Sequence, residues 1–241
     1  MAGTYDDAEE AWELLGDGTG PACVLFDFDG PLCRLFPYDS SLPLADALRE
    51  TVAAEGLLDV LSEDERGDKD PYMVLRAVHR ARGKRDVGDL VARLDEQVTE
   101  GERNAARSAL PTPGAAEFVR WLAGRGTRLA VVTNNAAAAA DDYLRGIGLR
   151  ECFAAVHGRA ADPDLMKPHP DVLHRALRSV GLPPDEAVMI GDTPTEFMAA
   201  EQADVRFVGI GRNSGKRQRM RDAGAKTVLA SYEPLLDRIA R

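Results

Sequence analysis

Short apolar runs recur along the chain, and segments with helical periodicity separate them. The first run, residues 22–28, consists mainly of β-favouring residues and ends before Gly30 and Pro31, which predicts a buried strand. Later runs of the same kind lie at residues 128–133, 152–157, 187–190, 206–210 and 227–230. Because most of these runs are apolar on both faces, the predicted strands are expected to be covered on both sides of a sheet.

Helical periodicity predicts helices at residues 8–15, 115–123, 136–145, 171–180 and 195–203. The alternation of strands and helices predicts a doubly wound α/β fold, a Rossmann-like parallel sheet with helices on both faces. Residues 34–110 interrupt it, with helical patterns at 42–55, 71–82 and 88–106 and no convincing strand. We therefore expect an α/β core of residues 1–33 and 111–241, and an all-helical domain of residues 34–110 inserted after the first strand.

The net charge of the chain and the length of its apolar stretches limit the kinds of partner that the protein is expected to bind. The 241 residues include 30 Lys and Arg against 40 Asp and Glu, a net charge of −10 that repels nucleic acid. No apolar stretch approaches the roughly 18 residues of a membrane span, and the acidic start lacks the features of a signal peptide. We therefore expect a cytoplasmic protein without membrane or nucleic-acid partners. The helices show no large surplus apolar stripe, which favours a monomer or weak homodimer.

Polar residues follow several of the predicted strands. Asp27 and Asp29 come at the end of the first strand and emerge on the same side of an extended chain, which is costly unless a cation or proton lies between them. A turn would also explain this Asp-rich segment. Thr133 and Asn134 follow the next strand, where they are able either to hold an anion or to cap a helix.

Two further polar segments complete the series. Lys167 lies in the segment MKPHP, immediately before a predicted helix, and a lone lysine is most often solvated. Asp192 lies in GDTPTE, where Thr193 and Glu196 also spell a capping box. Each segment alone has an ordinary structural explanation. At least three of the four lie at carboxyl ends of predicted parallel strands, however, where open α/β sheets bind their ligands.

The four segments FDFDGPL, VVTNN, KPHP and IGDTPTE occur in an order that resembles the haloacid dehalogenase superfamily. The resemblance extends over residues 24–210 and is to the phosphatase branch, in particular to phosphoglycolate phosphatase-like members. The insertion at residues 34–110 resembles the helical, C1-type cap of one branch of that superfamily. The resemblance implies a Mg²⁺-dependent hydrolase that acts on a small phosphorylated metabolite.

The resemblance also implies a role for each acid. Asp27 would be the nucleophile that becomes an aspartyl phosphate, and Asp29 the general acid and base. Mg²⁺ would be held by the carboxylates of Asp27 and Asp192 and by the backbone carbonyl of Asp29. Because superfamily dehalogenases need neither a metal nor an acid at position 29, this set favours phosphoryl transfer.

The remaining motif residues would handle the phosphoryl group. Thr133 and the backbone amide of Asn134 would bind its oxygens, and Lys167 would neutralise both the nucleophile and the phosphoryl group. The fourth motif departs from the superfamily pattern, since Glu196 stands where a second aspartate is usual. A glutamate at this position would either reach Lys167 or a metal-bound water, or serve only to cap the helix.

The sequence leaves the reaction and the substrate partly open. A phosphatase is favoured, with a sugar-phosphate phosphomutase as the alternative and a catalytically silent scaffold that binds a phosphorylated metabolite as a poorer one. Arg34 follows the nucleophile segment and, with Phe36 and Tyr38, is a candidate to line the substrate cavity. Near the C-terminus, a basic cluster is interpreted as solvated surface in preference to an anion site; it comprises Arg212, Lys216, Arg217, Arg219 and Arg221.

Overall fold

The structure, a computed structural model, describes residues 3–16, 18 and 20–240. The helices are α1 (Gly3–Leu15), α2 (Leu42–Ala54), α3 (Glu63–Gly67), α4 (Pro71–Ala81), α5 (Leu90–Ala106), α6 (Ala115–Gly124), α7 (Ala137–Gly146), α8 (Asp171–Val180), α9 (Pro194–Gln202), α10 (Ser214–Asp222) and α11 (Glu233–Ile239). The strands are β1 (Cys23–Phe26), β2 (Cys33–Arg34), β3 (Leu110–Pro111), β4 (Arg128–Val132), β5 (Ala155–His157), β6 (Ala187–Gly191), β7 (Arg206–Ile210) and β8 (Val228–Leu229).

Six strands form one parallel sheet in the order β5-β4-β1-β6-β7-β8. The first strand of the chain, β1, therefore lies between β4 and β6, and both neighbours are reached through helical crossovers. From β1 the chain adds β4 and β5 on one side of the sheet and then β6, β7 and β8 on the other side. This is the arrangement of doubly wound sheets. The predicted α/β, Rossmann-like fold class is confirmed.

Alternate residues of β1 belong to different hydrophobic clusters. Val24 and Phe26 pack in a cluster with residues of α1, α6, α7 and α11, whereas Cys23 and Leu25 pack in a cluster with residues of α8 and α9. Successive side chains of a strand point to opposite faces, so each face of the sheet has its own helical layer. This explains why the first run is apolar at every position from Cys23 to Phe26, as predicted.

Helices α2, α4 and α5 bury a separate apolar cluster that includes Leu48, Val74, Leu94 and Val98. This helical segment joins the rest of the chain through β2 and β3, which pair antiparallel, Cys33 with Pro111 and Arg34 with Leu110. The expectation of no strand in residues 34–110 is therefore wrong at both ends of that stretch. A two-residue strand is too short to leave a periodic pattern in the sequence.

Some helices have no counterpart among the sequence expectations. Helix α3 lies between the predicted helical patterns at residues 42–55 and 71–82, and it begins with a capping box between Ser62 and Glu65. Helices α10 and α11 were also not predicted; in α10 only Met220 is buried. Within the described residues, no helix is both long and apolar enough to cross a lipid bilayer.

Candidate active site

The predicted acids and the hydroxyl lie together at the carboxyl edge of the central strands. Asp27 follows β1, Thr133 follows β4 and Asp192 follows β6, and these three strands are neighbours in the sheet. All three side chains are buried. Lys167 reaches the same point from the segment before α8. The structure therefore brings together residues that are up to 165 positions apart in the sequence, since Asp27 and Asp192 differ by that number.

A buried ion pair between Lys167 and Asp27 forms the centre of the site. Lys167 Nζ donates to Asp27 Oδ1 at 2.6 Å and to the carbonyl of Val132 at 3.1 Å. Burial is the main cause that raises the pKa of Asp27 to about 6, and the Lys167 ammonium opposes it. Burial lowers the pKa of Lys167, but the carboxylates of Asp27 and Glu196 outweigh it, so the pKa lies above its usual value and the lysine stays charged.

Asp29 lies at the boundary between the site and the loop that follows it. Its Oδ1 accepts a hydrogen bond from the backbone N–H of Leu35 at 2.9 Å. Burial is the largest cause that raises the pKa of Asp29, and the Leu35 hydrogen bond opposes it. A carboxyl group whose pKa is raised holds a proton nearer to neutral pH, which is what a general acid requires.

The segment after β4 is fixed to Lys167 by a pair of amide hydrogen bonds. The backbone N–H of Lys167 donates to Asn134 Oδ1 at 2.7 Å, and Asn134 Nδ2 donates to the Lys167 carbonyl at 3.2 Å. Thr133 Oγ1 donates to Asn135 Oδ1 at 2.9 Å and accepts from the Asn135 backbone N–H at 3.0 Å. The two predicted phosphate-binding segments are therefore held as one unit.

Glu196 performs both of the tasks that the sequence leaves open. Its carboxylate accepts from the backbone N–H of Thr193 at 2.8 Å, as the capping box predicts. Its other oxygen lies 3.3 Å from Lys167 Nζ. Burial raises the pKa of Glu196, but Lys167 and the Thr193 hydrogen bonds outweigh it and the net pKa is lowered. The capping glutamate is thus also an ionised part of the central charge cluster.

Three carboxylates of the site converge in a way that suits a divalent cation. Ligand oxygens from Asp27, Asp192 and Glu196 all lie within 4.8 Å of one another, and all three residues are buried. Asp192 Oδ1 is buried and has no hydrogen-bond partner among the described residues. Burial, as the largest cause, raises the pKa of Asp192 to about 7. Hard oxygen donors with one unpartnered atom match the preference of Mg²⁺.

The basic cluster near the C-terminus is not simply solvated surface, so that interpretation is wrong for part of it. Lys216, on α10, forms an ion pair with Asp192 Oδ2. Arg221 pairs with Asp7 at 2.7 Å, and Arg217 donates to the carbonyl of Gly211 at 2.9 Å. Sequence reasoning missed Lys216 because α10 lies 24 residues after Asp192 and carries several similar cations.

The candidate catalytic residues line a cleft of about 480 Å³, which we call the catalytic cleft. Its walls include Asp27, Asp29, Thr133, Lys167 and Asp192 on one side and residues 68–72 of the helical segment on the other. Arg34, a candidate substrate-binding residue, does not line this cleft. It lines a second cavity instead, together with Tyr38. Phe36 lines both spaces.

A buried polar network, which sequence reasoning missed, links the helical segment to the site. Glu102 of α5 is fully buried and accepts hydrogen bonds from Arg159 Nη1 at 2.7 Å, Asn135 Nδ2 at 2.9 Å and the Ala136 N–H at 2.7 Å. The Tyr72 hydroxyl also donates to it. The spacing of four residues from Leu94 to Val98 to Glu102 places this glutamate on the buried face of α5, which is the signal that could have identified it.

A family model for haloacid dehalogenase-like hydrolases matches residues 21–204, from before Asp27 to beyond Glu196. The phosphoglycolate phosphatase of Rhodospirillum rubrum is 32% identical over 225 residues, which cover 90% of each chain. The pyrophosphatase PpaX of Halalkalibacterium halodurans is 29% identical over 127 residues, 53% of this chain and 59% of that one. The crystal structure of CbbY from Rhodobacter sphaeroides in complex with phosphate shares the fold, with a TM-score of 0.63 and 24% identity over 88% of this chain and 95% of that one. The resemblance seen in the motifs is confirmed: the chain belongs to the haloacid dehalogenase-like hydrolases and is a phosphoric monoester hydrolase.

Proposed function

We propose that the enzyme hydrolyses a small-molecule phosphomonoester in two steps through a phosphorylated Asp27. In the first step, a carboxylate oxygen of Asp27 attacks phosphorus and the P–O bond to the alcohol breaks. Asp29 gives its proton to the departing oxygen. In the second step, Asp29 takes a proton from water, whose oxygen attacks phosphorus and releases inorganic phosphate and free Asp27.

The residues around Asp27 stabilise the charge that moves during these steps. Lys167 holds one oxygen of Asp27, at 2.6 Å, and leaves the other carboxylate oxygen to attack. Thr133 and the backbone amide of Asn134 would bind the phosphoryl oxygens and orient the group for in-line attack. Asp27, Asp192 and Glu196 would hold Mg²⁺, with the Asp29 carbonyl as a further ligand. The cation would offset the negative charge of the phosphoryl group when bound.

The helical segment, residues 34–110, would act as a cap over this chemistry, and residues 1–33 and 111–241 would form the catalytic core. Residues 68–72 of the segment form one wall of the catalytic cleft. A wall of this kind limits access of bulk water to the phosphorylated intermediate. The similarity to phosphoglycolate phosphatases makes 2-phosphoglycolate the first substrate to test.

The observation that carries the proposal is the buried Lys167–Asp27 pair, with Asp29 and the acidic cluster around it. The test is phosphate release from a panel of small phosphomonoesters, with Mg²⁺ and with EDTA, by wild type and Asp27→Asn. We expect release that needs Mg²⁺ and falls by about 10³-fold or more in Asp27→Asn, because the nucleophile is lost. The exposed Asp185→Asn variant is the matched control and should retain full activity.

Other results would contradict the proposal in different ways. Release that persists in Asp27→Asn would show that another group attacks phosphorus. Isomerisation of a sugar phosphate without release would support a phosphomutase. Binding of phosphorylated compounds with neither reaction would support a silent scaffold.

A further inference from the structure

A second cavity, of about 740 Å³, adjoins the catalytic cleft and has no role in the mechanism above. We call it the basic cavity. Its walls come from the loop after β2, from residues 110–113 and from the segment after β7. Asp29 and Asp192 line both the basic cavity and the catalytic cleft, so the two spaces meet at the general acid.

The basic cavity carries three cationic side chains in a chain that is acidic overall. Arg34, Arg212 and Lys216 line it. Lys216 is paired with Asp192, but in the described part of the chain neither Arg34 nor Arg212 has an ion pair with a carboxylate. The Arg34 guanidinium lies 5.3 Å from the centre of the Tyr38 ring. Two arginines free of carboxylate partners, facing the same space, provide donors suited to an anion.

The wall of the catalytic cleft that the cap provides is mainly acidic, in contrast to the basic cavity. Asp68 and Asp70 line it, together with Lys69. An anionic group would be repelled by the two carboxylates there and attracted by the arginines of the basic cavity. Cationic side chains outnumber carboxylates in the basic cavity, whereas carboxylates outnumber cations on the cap wall, so a negatively charged ligand is favoured in the basic cavity.

The position of Asp29 connects this charge to the reaction. Asp29 protonates the departing oxygen in the mechanism above, so the alcohol portion of the substrate must lie beside it. Among the described residues, two arginines without carboxylate partners line the basic cavity, and no arginine lines the catalytic cleft. The side chains of Phe36, Tyr38 and Ile210 add apolar surface to the same cavity.

We propose that the basic cavity is a second anion site, in which Arg34 and Arg212 bind a carboxylate or phosphate on the alcohol portion of the substrate. This inference rests on the proposed function and adds to it the residues that select a substrate with a further negative group near the ester oxygen, namely Arg34 and Arg212. The site contributes to binding and specificity, and the reacting phosphoryl group remains with Asp27 and Lys167.

The test compares substrates that differ in that second group. Ethyl phosphate and 2-phosphoglycolate have departing groups of similar length, but only the latter carries a carboxylate, and propane-1,3-diol bisphosphate carries a second phosphate. In Arg34→Gln and Arg212→Gln, we expect kcat/KM to fall by about tenfold or more for the substrates with a second anion, because charge-assisted hydrogen bonds are lost. For ethyl phosphate, kcat/KM should stay within about twofold.

The control variant is Arg219→Gln, an exposed arginine of α10 that does not line the basic cavity, and it should behave as wild type with every substrate. Equal loss on ethyl phosphate and 2-phosphoglycolate, or no loss on either, would overturn the anion site. The ratio of wild-type kcat/KM for the bisphosphate and for 2-phosphoglycolate shows whether the site prefers phosphate or carboxylate.

A binding measurement separates this proposal from the proposed function. In the Asp27→Asn background, calorimetry with propane-1,3-diol bisphosphate should show weaker binding when Arg34→Gln or Arg212→Gln is added, and no change with Arg219→Gln. If wild type releases no phosphate from any substrate, the proposed function fails, and this binding pattern alone decides whether the anion site stands. Bisphosphate affinity that neither arginine affects would overturn the site even if the enzyme is an active phosphatase.

Discussion

At Gly30, the backbone lies so close to Asp192 that no side chain fits between them. A Cβ at this position would lie 2.2 Å from Asp192 Cγ, and the φ angle of +127° is one that other residues rarely adopt. The glycine therefore serves two purposes, since it allows the turn after Asp29 and it allows the Asp192 carboxylate to approach that turn. Gly30 in the segment FDFDGPL is therefore needed for the position of Asp192 in the segment IGDTPTE.

A comparison of alanine variants at two glycines separates the effect of backbone strain from the effect on Asp192. We expect Gly30→Ala to lose about 1 kcal/mol or more of folding stability from backbone strain, and to lose most phosphatase activity because Asp192 is displaced. Gly56→Ala is a matched control, since Gly56 has a φ of +69° but no atom within 4 Å of its Cβ position. Urea unfolding should show a loss in both variants, whereas activity should fall in Gly30→Ala alone. Full activity in Gly30→Ala would mean that the position of Asp192 is not critical.

Among the elements, the link between the helical segment and the core depends on the buried charges of Glu102 and Arg159. Arg159 comes from the loop after β5 and also donates to Asp95 at 2.6 Å and to Thr99 at 2.7 Å, both on α5. The Glu102 carboxylate accepts a hydrogen bond from Asn135 Nδ2, and Asn135 Oδ1 accepts one from the Thr133 hydroxyl. Helix α5 is therefore connected through two side chains to a proposed phosphate-binding hydroxyl.

Removal of Arg159 leaves the carboxylate of Glu102 buried without its cation. We expect Arg159→Gln to cost about 3–5 kcal/mol of unfolding free energy. Arg103→Gln is the control, because Arg103 likewise joins α5 to the core by an ion pair, with Asp142 of α7 at 2.7 Å, but both partners are well exposed. That exposed pair should contribute at most about 1 kcal/mol. Urea unfolding measures the loss of unfolding free energy in each variant. Equal losses would show that burial of the Arg159–Glu102 pair does not contribute to stability.

The helices and strands also show which parts of the fold can be predicted from the sequence. The six sheet strands and helices such as α8 were predictable because apolar runs and helical periodicity record burial directly. Helix α10 was not, because among its residues only Met220 is buried. The motif residues were predictable from their order along the strands. Lys216 was not, because a charge that becomes buried by tertiary contacts has the same local sequence context as a solvated one. The periodicity of α5 places Glu102 on the buried face, but its partners come from distant segments and could not be predicted.

For the whole molecule, the acidic site makes stability depend on pH. The pKa of Asp192 is 3.8 in the absence of perturbation and about 7 in the folded protein, mainly because of burial. Between these values Asp192 binds a proton more often in the folded state than in the unfolded state, so its contribution to the free energy of unfolding falls as pH rises. A bound divalent cation would remove this penalty, since it stabilises the ionised carboxylate.

We therefore expect Asp192→Asn to remove the contribution of this carboxyl group to the pH trend in the absence of metal. In EDTA, the stability of Asp192→Asn relative to wild type should increase by about 1 kcal/mol or more from pH 4 to pH 7. Mg²⁺ at saturating concentration should then stabilise wild type and leave Asp192→Asn almost unchanged. Urea unfolding across pH, with Asp185→Asn as a control, measures both effects. A relative stability that does not vary with pH would contradict the raised pKa.

The position of β1 has a consequence for synthesis on the ribosome. Although β1 lies inside the sheet, its neighbours β4 and β6 begin only at Arg128 and Ala187. A nascent chain that ends before residue 128 contains an apolar strand with both edges unpaired, the kind of segment that associates with other chains. At translation rates of about 5–20 residues per second, completion of both neighbours takes on the order of ten seconds or more. The strand that leads to the proposed nucleophile thus waits longer for its neighbours than any later strand of the sheet, and most of the helices that cover it also come late in the chain.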